Sequence, residues 1–334
     1  MNIRELAKLA KVSPATVSMA LNGKKGVNEE TRRRILKLAA THNYSGVQES
    51  ALTGGDVLVI KYWGHGMLVE ENQQTASAMI DALEATLSAH TLTVLTVKNF
   101  ATWRVNWNDY CGAVVIASHL PKDLPGCLAE LPIPCVLVDN AAPGLCCSAV
   151  SAGNSESVHL ALCHLKACGH QEIGYVDSSL ETENFFARRA AFDRWRPDLP
   201  LHGDVAHRFS VFPTVKGAFH DFQRILASAP PLPGCLLAAC DAIALGVIHA
   251  LQEGGFSVPG DLSVMGMEDL PAAAACVPPL TTVRFPRDRM GVCAGELLLK
   301  QLQAHEAAQL KIQLTGDLVQ RGSVKQMTGT PAVQ

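Results

Sequence analysis

"SPATVSMALN", residues 13–22, reads as a short, sharply bounded helix with no charge inside it. Ser13 can accept a hydrogen bond from a free N–H of the first turn, and Pro14 at the first helical position gives up no N–H the helix needs. Asn22-Gly23 ends it. Val17 and Leu21, four apart, form a narrow inward face. Upstream, Ile3, Leu6, Leu9 and Ala10 predict one face of a first helix of about two turns, broken at Lys11-Val12. Downstream, Asn28 caps a third helix, Glu29 and Glu30 suit its positive end, and Ile35, Leu38 and Ala39 supply its core stripe. Three short helices with a tight turn between the first two predict a helix-turn-helix domain.

Charge says what such a domain meets. Residues 1–44 hold nine Lys and Arg against three Glu, a balance of +6, whereas the rest of the 334-residue chain carries 19 against 28, or −9. A basic head on an acidic body points to a polyanion as the head's partner. A helix that enters the major groove must be slim, and it reads base edges from its N-terminal end. Ser13, Ala15, Thr16, Ser18 and Met19 offer small hydroxyls and methyls there. Lys11, Lys24, Lys25 and Arg32 to Arg34 form cationic flanks for phosphates.

From residue 56 short apolar strands alternate with amphipathic helices. Strands are predicted at 57–60, 93–97, 112–117, 135–138, 173–176, 235–239 and 263–267, with helices near 73–89, 155–168, 183–195, 214–228 and 241–254. That alternation specifies parallel sheets covered by helices on both faces. A second series begins near 155, so two similar lobes with a cleft between them are expected. Ligands in such folds sit beyond the carboxyl ends of the strands. On position alone, Tyr62, Trp63, His65, Ser118 and Asp139 are candidates from the first lobe.

Other classes find little support. No strand leads into G-x-G-x-x-G, and neither a P-loop nor a nucleophile elbow occurs, which argues against an enzyme with a fused DNA-binding head. The eleven cysteines are scattered through apolar runs and read as buried thiols of a cytoplasmic protein. His159, Cys163 and His164 lie within helical reach of one another, but no second ligand group has zinc spacing, so no metal and no cofactor is expected. No apolar run is long enough to span a bilayer.

Residues 3–44, "IRELAKLAKVSPATVSMALNGKKGVNEETRRRILKLAATHNY", resemble the DNA-binding head of the lactose-repressor (LacI/GalR) family, in the frames "VS-x-x-TVS-x-x-LN" and "V-x-E-x-TR" and the closing "NY". The resemblance implies that Pro14, Ala15 and Met19 read bases, and that Thr16, Ser18, Asn22 and Thr31 meet phosphates of double-stranded operator DNA. Met19 stands where relatives often carry Arg, exchanging a guanine contact for an apolar one. In the linker, 45–55, Leu52 is the one candidate for the family's minor-groove wedge, and it arrives one residue early.

The body is similar to the family's effector domain, itself similar to periplasmic sugar-binding proteins. The similarity is strongest in "LALCHLKACGHQEIGYVDS" and in "LLAACDAIALGVIHALQEGGFSVPGDLSVMGMEDLPAAAACVPPLTTV". This implies an N-terminal all-α helix-turn-helix head and an α/β periplasmic-binding-protein-like body of two doubly wound parallel-sheet lobes. The expected divisions are a head (1–44), a linker (45–55), a body (56–328) and a tail (329–334). Lobe 1 takes about 56–150 and 284–313, lobe 2 about 151–283 and 314–328. Carried over singly, Arg188 and Asp241 become effector-binding residues, Asp241 also suiting a helix N-cap; Phe212 either faces a sugar ring or packs in the core, and Glu268 and Asp269 follow a strand where they either bind or brace the loop. The implied protein is a transcription regulator, a repressor acting as a homodimer on a palindromic operator in the cytoplasm at the nucleoid. Its effector would be a sugar, sugar acid or sugar phosphate. A regulator that has lost effector control is the alternative.

Overall fold

The computed structural model describes residues 3–21, 27–28, 30–32, 34–35, 38, 55–62, 69–98, 105–121, 128, 130–140, 144, 146–196, 207–303 and 308–327. Asn22, Leu52, Trp63, His65 and the 329–334 tail lie outside them.

In the head, α1 (Ile3–Ala10) and α2 (Pro14–Leu21) are joined by a turn in which Lys11 adopts φ 52°. Val12 N donates to Ala7 O (3.0 Å) and Lys11 N to Lys8 O (3.2 Å), which closes the end of α1 in the manner usually given to glycine. Ser13 Oγ accepts from Thr16 N at 3.0 Å and caps α2. Asn28 Oδ1 accepts from Thr31 N at 2.8 Å, and residues 30–32, 34–35 and 38 are helical. Leu6, Ala7, Ala10, Val17, Ala20 and Ile35 form the head's core. Leu9 departs from expectation. It is 50% exposed, because residues 6, 7 and 10 set the centre of the buried stripe and position 9 lies about 100° away from it.

The body holds two parallel sheets. The first has the order β11-β5-β4-β3-β1-β2, from β1 (Asp56–Tyr62), β2 (Leu92–Val97), β3 (Tyr110–Ile116), β4 (Cys135–Val138), β5 (Ser148–Ala152) and β11 (Lys311–Leu314). Alternate residues serve opposite faces. Val57 and Val59 pack with Met79 and Leu83 of α3 (Val69–Thr86), with Leu87 just beyond it, and with Met290, Ala294 and Leu298 of α9 (Arg287–Gln303). Leu58 and Ile60 join a separate core on the other face with Leu120, Leu128 and Leu137. Burial of both faces explains the near-continuous apolar runs.

The second sheet runs β7-β6-β8-β9, from β6 (Ile173–Ser178), β7 (Arg208–Val211), β8 (Cys235–Ala238) and β9 (Ser263–Met265). Around it stand α4 (Asn154–Ala167), α5 (Glu183–Trp195), α6 (Val215–Ala227), α7 (Asp241–Glu253) and the short α8 (Pro271–Ala275). The chain crosses between lobes three times: from β5 to α4, from β10 (Thr282–Arg284) to α9, and from β11 to β12 (Asp317–Val319). There β10 and β12 pair antiparallel. The strands β5, β7, β10, β11 and β12 and the helices α8 and α9 are absent from the sequence reading. β5 is SAVSA, whose small polar residues carry no strand signature although all five are buried.

Candidate functional sites

The first site is the exposed start of α2. Ser13, Pro14 and Ala15 are exposed, and Thr16, Ser18, Met19 and Thr31 are half-buried. Ser13 Oγ also lies 2.8 Å from Thr16 Oγ1, so the two hydroxyls form one polar edge at the helix N-terminus. Val17 and Ala20 turn inward and fix which face of α2 is presented. Arg32 Nη1 reaches the Ala20 carbonyl (3.4 Å) near the end of α2 and ties the third helix to the second.

The second site is a cleft lined from both lobes. Ser118, Asp139 and Arg188 all line it. Arg188 is 3% exposed: Nε donates to Asn154 Oδ1 (2.9 Å), and Nη1 donates to Ala239 O (2.7 Å) and Glu268 Oε1 (2.8 Å). The Phe285 ring centroid lies 4.9 Å from its guanidinium carbon, and that of Phe185 5.7 Å, faces that favour a cation. Asn154 Nδ2 donates to Asn184 Oδ1 (3.0 Å), and Asn184 Nδ2 donates to Asp139 O (3.0 Å). A continuous hydrogen-bonded chain thus runs from Arg188 in the second lobe to Asp139 in the first. On the far wall Arg287 Nη1 donates to Glu268 O at 2.8 Å.

Asp139, at φ 70°, has its carboxyl pushed up to about 6, by burial first and then by the negative charge of Glu268. A folded-state pKa above the unfolded 3.8 means that the native protein holds this proton more tightly. The group's favourable contribution is therefore fully present below about pH 3.8 and lost as pH rises through about 6. Asp139→Asn keeps an acceptor for Asn184, tolerates positive φ, and is expected to raise unfolding free energy at pH 7.5 by on the order of 1–2 kcal/mol. Urea unfolding at pH 5 and 7.5 checks this. The gain should shrink at the lower pH, and an equal effect at both would exclude the charge as its cause.

Four other expected effector residues are placed elsewhere, and these are corrections. Tyr62 packs half-buried against the core on the second face of the first sheet. Phe212 leans on Gly217, where an added Cβ would come within 2.8 Å of its ring, and its neighbour Pro213 reaches the cleft instead. Asp241 is 0% exposed, and both its oxygens are used inside the lobe: Oδ2 accepts from Leu270 N (2.8 Å) and Oδ1 from Thr282 Oγ1 (2.6 Å). Nor does Asp241 cap α7; Cys240 holds the N-cap position, and it lines the cleft. Asp269 is a brace, paired with Arg284 Nε (2.7 Å) and Arg321 Nη2 (2.6 Å).

Sequence reasoning missed Asn184, Phe185, Phe285 and Arg287. Asn184 and Phe185 stand four and three residues before Arg188, so helical spacing from that arginine was a usable signal. Phe285 and Arg287 sit at an interlobe crossing, where the local sequence carries none. Among the described residues no group of three or more His, Cys, Asp or Glu is placed to hold a metal ion, and no helix is long and apolar enough to cross a membrane.

Comparison with known proteins agrees with this geometry. Residues 2–46 match the model of bacterial regulatory proteins of the lacI family, and residues 162–324 match the periplasmic binding protein-like domain. The chain is 25% identical over 338 residues to the "Probable HTH-type transcriptional repressor ExuR" of Bacillus subtilis (strain 168), covering 98% of this chain and 99% of that one. It is 27% identical over 348 residues to the HTH-type transcriptional repressor PurR of Haemophilus influenzae, covering 97% and 98%. Of solved structures, a lac repressor dimer bound to operator and the anti-inducer ONPF shares the fold at TM-score 0.68 and 21% identity, covering 97% of this chain and 99% of that one. A complex of the transcriptional regulator CelR with cellobiose also reaches 0.68, at 19% identity and the same coverage. With a helix-turn-helix head and a two-lobed periplasmic-binding-like body, the chain belongs to the lacI family of bacterial transcription regulators.

Proposed function

We propose that this protein is a ligand-responsive repressor that binds a palindromic operator as a homodimer and takes a small sugar-like effector into the cleft between its lobes. The observation that carries the reading is the cleft itself: Arg188 is held between Glu268 and two aromatic rings, and the walls come from both lobes beside the chain crossings. A ligand that bridges the walls shifts the lobes towards one relative setting, and that setting changes how a dimer presents its heads. Relatives named as repressors, and a related fold with cellobiose bound, support the same reading. The head is assigned to residues 1–44, the linker to 45–55 and the body to 56–328, acting in the cytoplasm at the nucleoid. Pro14, Ala15 and Met19 are placed at base edges. We assign Thr16, Ser18, Asn22 and Thr31 to phosphates and Ser13 to the DNA-facing edge beside them, with Leu52, one residue early, as the candidate wedge of a weakly formed hinge.

The test is operator binding by gel shift on the chain's own promoter region, with and without each member of a panel of sugars, sugar acids and sugar phosphates. A dimer-length footprint that at least one compound shifts is the expected result. An operator complex indifferent to the whole panel would favour a regulator that has lost effector control. Affinity should fall steeply with salt. Thr16→Ala should weaken every operator variant alike, by about 1 kcal/mol, whereas Met19→Arg should change the preferred base. If both substitutions lowered affinity equally on all sequences, the division between phosphate and base contacts would be wrong.

A further inference from the structure

The cleft contains two arginines and two carboxylates, and their pairing decides what can enter. Arg188 Nη1 meets Glu268 Oε1 at 2.8 Å, and the side chains are only 4% and 17% exposed. Arg287 is drawn to the same residue, through Glu268 O at 2.8 Å and through Nη2 to Oε2 at 3.8 Å. Both cations that a ligand would meet are therefore answered by one carboxylate of the chain. Asp139, also on the cleft wall, takes part in no ion pair among the described residues; Asn184 Nδ2 approaches its Oδ1 at 3.4 Å.

Glu268 is also held where it stands. It has φ 114° and is followed by Asp269 at φ 55°, two consecutive non-glycine residues in the left-handed region. Such backbone persists only where its surroundings over-determine it. Here Glu268 N donates to Val283 O (2.7 Å) and Asp269 is pinned by Arg284 and Arg321. The backbone that carries the Glu268 carboxylate is therefore held beside Arg188.

We infer that Glu268 sets effector class: it occupies the Arg188 guanidinium with the chain's own carboxylate, so the cleft accepts an uncharged, hydrogen-bond-donating ligand and rejects ligands bearing carboxylate or phosphate. This rests on the cleft being the effector site. An entering hydroxylated ligand would find Asp139 and the outer oxygen of Glu268 as acceptors. An entering anion would instead have to displace Glu268 from Arg188 Nη1 or lie beside the Glu268 and Asp139 carboxylates.

The experiment uses the full chain with matched probes: galactose against galacturonate, and glucose against glucose 6-phosphate, by thermal shift and calorimetric titration. Three variants accompany the wild type. Glu268→Gln removes the charge at nearly constant shape. Glu268→Asn, shorter and tolerant of positive φ, is the second route should the first misfold. Glu268→Gln combined with Arg188→Met removes the freed cation. The wild type should show no stabilisation by galacturonate or glucose 6-phosphate. Glu268→Gln or Glu268→Asn should bind at least one of them about tenfold or more tighter than the wild type, and the double variant should lose that gain. Galacturonate or glucose 6-phosphate binding the wild type as well as the variants overturns the inference. So does an absence of gain in both single variants, or a gain that survives removal of Arg188. The neutral probes form a separate arm: if neutral sugars leave the wild type unmoved while the variants gain the anions, the sugar-effector reading falls and the exclusion by Glu268 stands.

Discussion

Alanine at Gly246 is expected to destabilise the protein by about 3 kcal/mol or more, despite being the better helix former. Gly246 lies inside α7 where that helix meets α6. A Cβ there would overlap the Val215 carbonyl oxygen and come within 2.7 Å of Ala218 Cβ and Phe219 N. Two of these atoms belong to backbone, so no side-chain rotation relieves the overlap and the helices must separate. Their separation would open the core around Ala218, Phe222 and Ile248. Gly234→Ala is the control, since a Cβ there meets nothing within 4 Å, and its effect should stay within about 0.5 kcal/mol. Urea unfolding of both variants measures the difference, and equal midpoints would show that α6 and α7 are not packed this closely.

Asp241→Ala should cost about 3 kcal/mol, whereas Asp241→Asn should be nearly neutral. Removing the carboxylate strands the buried N–H of Leu270 and the hydroxyl of Thr282, each worth roughly 1–3 kcal/mol when unsatisfied. An amide keeps both: its oxygen accepts from Leu270 N, and its NH₂ donates to Thr282 Oγ1, which turns its own proton away. Burial pushes the Asp241 carboxyl up to about 7. Its contribution is therefore complete below about pH 3.8 and lost as pH rises through about 7, so Asn should compare best with the wild type at alkaline pH. Ligand response is expected to survive the Asn variant, because the carboxylate does not line the cleft. An Asn variant that folds and binds operator but no longer responds would return Asp241 to a ligand-binding role.

Features written in local patterns were legible from the residues alone. Ser13 before Pro14 and Asn28 before the third helix are caps, decided by side chains that bond to their own neighbours' backbone. Val57 to Ile60 and Cys135 to Val138 read as buried strands because both sheet faces are covered. Arg188 was legible only through the resemblance to the family, which places a ligand-binding arginine four residues before an aromatic. Leu9 was misread although the period was right, since a two-turn helix leaves the stripe's centre to be settled by what packs on it. The tertiary structure alone decided the rest. Asp241 and Asp269 follow strands exactly as cleft residues should, yet Leu270, Thr282, Arg284 and Arg321 arrive from distant segments and claim their oxygens. Phe285 and Arg287 became cleft residues because the crossing from β10 to α9 carries them there. A carboxylate's role depends on which donors reach it first, and those donors lie up to 52 residues away along the chain, beyond any local pattern.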